Sequence, residues 1–81
     1  MTPKLYTRDT CAPCRMLKQY LDKKGVRYEL INVDEHPEKF NEVIIFSNAT
    51  IVPQLAVGMT VVVGLNLPKI MDLLGLRDNG Q

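Results

Sequence analysis

The spacing of apolar positions changes several times along the chain, and each change marks a predicted element. Lys4 to Thr7 is a short run of strand formers that stops at the polar break Arg8-Asp9-Thr10. From Cys11 to Lys24 the spacing becomes helical. At about 100° per residue, Met16, Leu17, Tyr20 and Leu21 gather on one side of the helix, while Arg15, Lys18, Asp22 and Lys23 fall on the other. Thr10 or Asp9 is placed to cap this helix, Pro13 suits its first turn, and Gly25 suits a left-handed stop.

Val26 to Val33 is rich in strand formers with partial alternation, so strand, helix and strand complete a βαβ unit of about 30 residues. Such a crossover makes the two strands parallel. The acidic residues and proline of Asp34 to Glu38 suit a helix start, and Phe40, Val43 and Ile44 follow at helical spacing toward an end near Ser47-Asn48. Gln54 to Val57 and Thr60 to Val63 are apolar runs split by Gly58-Met59, which predicts a hairpin. Asn66 can cap a last helix in which Leu67, Ile70, Met71 and Leu74 follow the i, i+3, i+4, i+7 rule. Gly75 ends that helix, and Leu76 to Gln81 reads as a frayed polar tail. The predicted order is β-α-β-α-β-β-α, an α/β sandwich, and a chain of 81 residues holds one core, so a single domain over residues 1–81 is expected.

Composition narrows the classes. With 46% hydrophobic residues the chain can fill a core, which argues against disorder. Ten Lys and Arg against nine Asp and Glu leave a net charge of +1, too little to draw the protein to nucleic acid or to an anionic membrane. No apolar run approaches the ~18 residues of a membrane span, and Met1-Thr2-Pro3-Lys4 lacks the apolar core of a secretion signal. The expected location is the cytoplasm, where a thiol pair is more often catalytic or metal-binding than a permanent staple. Nothing in the sequence calls for more than a monomer.

The candidate chemistry is Cys11-Ala12-Pro13-Cys14, which contains both cysteines of the chain at a strand-to-helix junction. The thiolate is the species that attacks a disulfide, and the first turn of a helix favours it through unpaired N–H groups and the positive end of the helix dipole. Arg8 and Arg15 add positive charge nearby, and Asp9 opposes them. On the helical wheel Cys14 lies within about 20° of Leu21, whereas Cys11 points away from the apolar stripe. Cys11 is therefore the expected nucleophile and Cys14, one turn on, the resolving thiol. Pro13 restricts the ring they would close.

Two other uses of the pair compete with this one. Cys-x-x-Cys is half of a zinc knuckle, but the chain has one histidine, His36, and no further cysteine, so the ligand count argues against a structural zinc. A purely structural disulfide would close too short a loop to constrain the unfolded chain much. His36 reads as a solvated residue at a helix start, and Met16, Met59 and Met71 suit core or turn packing. Tyr6, ending the first strand near the thiols, suits either the core or the wall of a substrate groove.

The order of Tyr6-Thr7-Arg8, Cys11-Ala12-Pro13-Cys14, Ile51-Val52-Pro53 and Gly64 resembles the glutaredoxin family of the thioredoxin superfamily over nearly the whole chain. The resemblance implies a thioredoxin-like fold with a four-stranded mixed sheet flanked by three helices, and thiol–disulfide oxidoreductase activity on protein or glutathione-mixed disulfides. It implies a cis Pro53, against the alternative of a trans proline opening the third strand. Val52 would offer its backbone N–H and C=O to an extended substrate, and Arg8 would meet a glutathione carboxylate. Glutaredoxins usually follow with Gly-Gly and acidic residues that hold the amino end of glutathione. Here Val62-Val63-Gly64-Leu65-Asn66-Leu67-Pro68 has one glycine and no acid. Gly64-Leu65-Asn66 is similar to the Gly-Phe-x stretch of glutaredoxin-like proteins that carry electrons to ribonucleotide reductase and are recharged by thioredoxin reductase, although this chain lacks their tryptophan. No tightly bound cofactor is expected: the electron source is glutathione or a reductase. The resemblance also admits a glutathione-assisted iron–sulfur cluster in a dimer.

Overall fold

The computed structural model describes residues 1–76, so all of the expected tail beyond Leu76 lies outside the described residues. Its elements follow the predicted order: β1 (Lys4–Thr7), α1 (Ala12–Lys23), β2 (Glu29–Asn32), α2 (Pro37–Ser47), β3 (Gln54–Val57), β4 (Thr60–Val63) and α3 (Leu67–Leu74). The strands form one mixed sheet in the order β2-β1-β3-β4. β1 runs parallel to β2, with Lys4 opposite Glu29 and Thr7 opposite Asn32. It runs antiparallel to β3, with Leu5 opposite Leu55. β4 returns antiparallel to β3 through the Gly58-Met59 turn, where Gly58 takes a φ of 62° that a side chain would strain.

Strand periodicity divides the core into two layers. Leu5 packs with Leu17, Leu21, Leu55, Val62 and Ile70 between the sheet and helices α1 and α3. Tyr6, one residue on, faces the other way and packs with Ile31, Val33, Val43 and Ala56 on the α2 side. Because β1 is paired on both edges and covered on both faces, Leu5, Tyr6 and Thr7 are all buried. The C-terminal end of β1 is thereby held at the middle of the sheet, where the chain turns into α1.

Three expectations are corrected. The first concerns the cap of α1: it is Cys11 rather than Thr10 or Asp9, and the helix proper begins at Ala12. Asp9 instead accepts a hydrogen bond from Asn32 Nδ2 at 2.8 Å. The second strand starts at Glu29, not Val26, because the end of α1 extends past Gly25: the Val26 N–H donates to Leu21 O at 3.0 Å and the Gly25 N–H to Asp22 O at 3.1 Å. Val26 and Tyr28 still pack against the core, but from a loop. Third, Met16 is 57% exposed and Met59 80% exposed. Met16 lies about 200° around the helix from Cys14, outside the stripe formed by Cys14, Leu17 and Leu21.

Tyr28 also supplies a test of how the end of α1 is held. Burial, and then the hydrogen bond it donates to Asp22 at 2.8 Å, push its phenol up to about 12. An unfolded tyrosine ionises near pH ~10, so between those values the unfolded chain releases a proton that the folded chain keeps, and stability falls as pH rises. Tyr6, raised by burial and by Glu42 and Glu29, acts in the same direction. Melting temperatures measured at about pH 9 and about pH 11.5 should therefore fall less in Tyr28→Phe than in the parent protein. An equal fall in the two proteins would contradict the assignment.

Candidate active site

The site is built where β1 hands the chain to α1. Arg8, Asp9 and Thr10 carry it off the sheet, and Cys11 stops it in an extended conformation, with φ −140° and ψ 104°, before the helix begins. Its sulfur takes the capping role that an oxygen of Ser, Thr or Asp usually fills: Cys11 Sγ accepts the N–H of Cys14 at 3.2 Å, and Cys11 O accepts the N–H of Arg15 at 3.2 Å. Pro13 lies in the first turn, where a missing N–H leaves no intrahelical bond unmade. The Cys11 sulfur therefore sits at the positive end of α1, which favours negative charge there.

The two cysteines differ in access. Cys14 lies on the buried stripe of α1 and is 2% exposed, whereas Cys11 is half-buried at the mouth of the site. They form a disulfide with Cα atoms 5.2 Å apart. Reduction of this pair yields one accessible thiol and one shielded thiol within a helical turn of each other.

The facing wall comes from the start of β3. The Val52–Pro53 bond is cis, Pro53 is fully buried, and Val52 O lies 4.0 Å from Cys11 Sγ. The Gly64 N–H donates to Pro53 O at 2.8 Å, so the end of β4 ties down the same segment. Leu65, next in sequence, packs against the α1–α3 core layer. Asn66 caps α3, its Oδ1 accepting the Lys69 N–H at 3.3 Å, and the first turn of that helix carries no acidic residue.

Arg8 is positioned by its neighbours. Its Nε donates to Asp34 Oδ1 at 3.0 Å, and its guanidinium lies 5.9 Å from the centre of the Phe40 ring. Asp34 is in turn set by Asn32, whose Oδ1 accepts the Asp34 and Glu35 N–H groups at 2.9 and 3.3 Å while its Nδ2 holds Asp9. This network fastens the loop in front of Cys11 to the β2–α2 turn. For Tyr6 the structure takes the first of the two readings left open: it is 5% exposed in the α2-side core, where it lines a cavity of about 210 Å³ with Met1, Lys4, Glu42 and Phe46. That cavity lies toward the start of β1, away from the thiols.

Sequence reasoning did not single out Asn32, Asp34, Phe40 or Gln54. Asn32 carried a usable signal, since an asparagine two residues before an aspartate at a strand end is the pattern of an Asx-turn. Gln54 carried another, as the only amide in the apolar run Gln54 to Val57. Among the described residues no group of three or more His, Cys, Asp and Glu side chains is placed to hold a metal ion.

Comparison with known proteins agrees with this geometry. The glutaredoxin family model matches residues 4–62. Glutaredoxin 3 of Escherichia coli K12 is 31% identical over 74 residues, covering 91% of this chain and 89% of the relative. A glutaredoxin of Pseudomonas aeruginosa is 38% identical over 74 residues, covering 91% and 88%. Among solved structures, the glutaredoxin-like protein NrdH-redoxin from Escherichia coli superposes with a TM-score of 0.77 at 28% identity, covering 91% of this chain and 95% of that one. With a cysteine pair at a helix start, a cis proline facing it and a family match over most of its length, the chain belongs to the glutaredoxin family of thiol–disulfide oxidoreductases.

Proposed function

We propose that this chain reduces disulfides in protein partners and draws its electrons from a protein reductase in preference to glutathione. The observation that carries this reading is the start of α3, which has no acidic side chain to meet an ammonium group: Asn66 is engaged as the cap, and the charged residue of the first turn is Lys69. Arg8, the side chain the resemblance would assign to a glutathione carboxylate, is already paired with Asp34. Main-chain groups beside Val52 remain as the recognition element, and these suit an extended polypeptide. The likeness to NrdH-redoxin, whose structure is described as explaining a thioredoxin-like activity profile, supports the same choice. On this reading ribonucleotide reductase is the candidate substrate, thioredoxin reductase the candidate donor, and the cytoplasm the setting.

The exchange proceeds in two displacements. Cys11 thiolate attacks one sulfur of the substrate disulfide, forming a mixed disulfide, and the other substrate sulfur leaves as a thiolate that takes up a proton. Cys14 then gives up its proton and attacks Cys11 Sγ, closing the Cys11–Cys14 disulfide and releasing the second substrate thiol. Two protein thiols are oxidised, and one substrate disulfide is reduced to two thiols. The reductase restores the pair.

Cys11→Ser should abolish reduction of a protein disulfide, and Cys14→Ser should accumulate a covalent mixed disulfide visible by non-reducing gel or mass spectrometry. Full reductase activity in Cys11→Ser would overturn the assignment of roles. For the electron source, the oxidised protein should be reduced faster by NADPH with thioredoxin reductase than by glutathione with its reductase. The opposite preference would reject the proposed donor. Because an exposed ion pair is worth only about 0.2–1 kcal/mol, Asp34→Asn should raise the glutathione-driven rate by no more than about fivefold. A decrease would show that the Arg8–Asp34 pair aids glutathione rather than competing with it.

A further inference from the structure

Gln54 opens β3 directly after the cis proline, and none of its surface is exposed. It stands opposite Tyr6 in the sheet, so it faces the α2 layer rather than the thiols. Its Nε2 donates twice, to Ala49 O at 3.0 Å and to Ile51 O at 2.9 Å. Both neighbours are acceptors, which assigns the nitrogen to this side of the amide, since the flipped group would set oxygen against two carbonyls. Its Oε1 is buried without a hydrogen-bond partner among the described residues. The side chain thus serves this region as a two-pronged donor.

We propose that Gln54 is the positioning residue that aims the main chain of Val52 at a polypeptide substrate, a proposal that rests on the protein-disulfide reading above. The Ile51 carbonyl and the Val52 N–H belong to one peptide unit, which is trans because the cis bond in this segment is Val52–Pro53. In a planar trans peptide the C=O and N–H point in opposite directions. Drawing the Ile51 carbonyl inward with a 2.9 Å bond from the buried amide therefore turns the Val52 N–H outward. That N–H makes no hydrogen bond among the described residues, and the Val52 carbonyl lies 4.0 Å from Cys11 Sγ. The second bond, to Ala49, joins the end of α2 to the same clip, so residues 49–52 are held as a unit. The result is an unpaired donor, with a carbonyl in contact with Cys11 Sγ beside it, oriented before any substrate arrives. An extended segment flanking a disulfide can pair with them as an added strand and bring its sulfur to Cys11.

Such a role separates substrates with a main chain from those without one. The test uses the reduced full chain in single-turnover reactions with 5,5′-dithiobis(2-nitrobenzoate), a disulfide with no peptide groups, and with insulin, whose disulfides lie in polypeptide. Gln54→Met keeps the length of the side chain and removes both donors. Its rate constant with the aromatic disulfide should stay within about twofold of the parent, while that with insulin should fall about tenfold. An unchanged insulin rate, or an equal fall with both substrates, would overturn the proposal. Gln54→Asn, which retains the amide on a shorter stem, takes its place if Gln54→Met fails to melt cooperatively, and should show the same split at smaller size. A parent protein that reduces the aromatic disulfide but not insulin would instead reject the protein-disulfide reading itself.

Discussion

The sulfur of Cys11 is the N-cap of α1 and, in the proposed mechanism, also the atom that reacts, and most of the site depends on that double role. A cap acceptor typically stabilises a helix by about 0.5–2 kcal/mol, so folding and reactivity are served by one contact. The donor in that contact is the N–H of Cys14, 3.2 Å away. Once the disulfide is reduced, that N–H favours negative charge on Cys11 Sγ. The positive end of the α1 dipole adds to this.

The two core layers place this cap where a substrate can reach it. Leu17 and Leu21 anchor α1 against Leu5 and Leu55, and Cys14 lies on the same stripe. Shielding of the second thiol follows from the packing of the helix. On the opposite wall, Gly64 holds Pro53 through main-chain bonding, and Gln54 holds Ile51 from within the sheet. The reacting sulfur is thus framed by groups whose orientation is set by buried contacts. The exposed Arg8–Asp34 pair, by contrast, lies on the rim and contributes little to rigidity.

The order and kind of the elements were legible in the sequence because apolar spacing reports the faces that must be buried, as at Leu17 and Leu21 or Leu67 and Ile70. The reactive pair was legible from spacing, and the cis state of Pro53 from resemblance. Identities of partners were not. Asp9 and Thr10 have better capping chemistry than a thiol, but Asp9 is drawn to Asn32, a residue 23 positions away. Val26 has strand propensity, but its N–H closes the end of α1. Gln54 looked like an ordinary strand residue, since its importance lies in carbonyls that the sequence does not orient. At Asp9 a partner distant in sequence overrules the local preference, whereas at Val26 and Gln54 the deciding partners lie within five residues but are carbonyls whose direction only the fold sets.

The proposed division of labour rests on the fold leaving Cys11 accessible while Cys14 is shielded. The most direct measurement is brief alkylation of the fully reduced protein with iodoacetamide at neutral pH, followed by mass spectrometry of the modified sites. Cys11 should be carboxamidomethylated rapidly, with Cys14 left free until the protein is denatured. Modification of Cys14 at an equal or greater rate would contradict it.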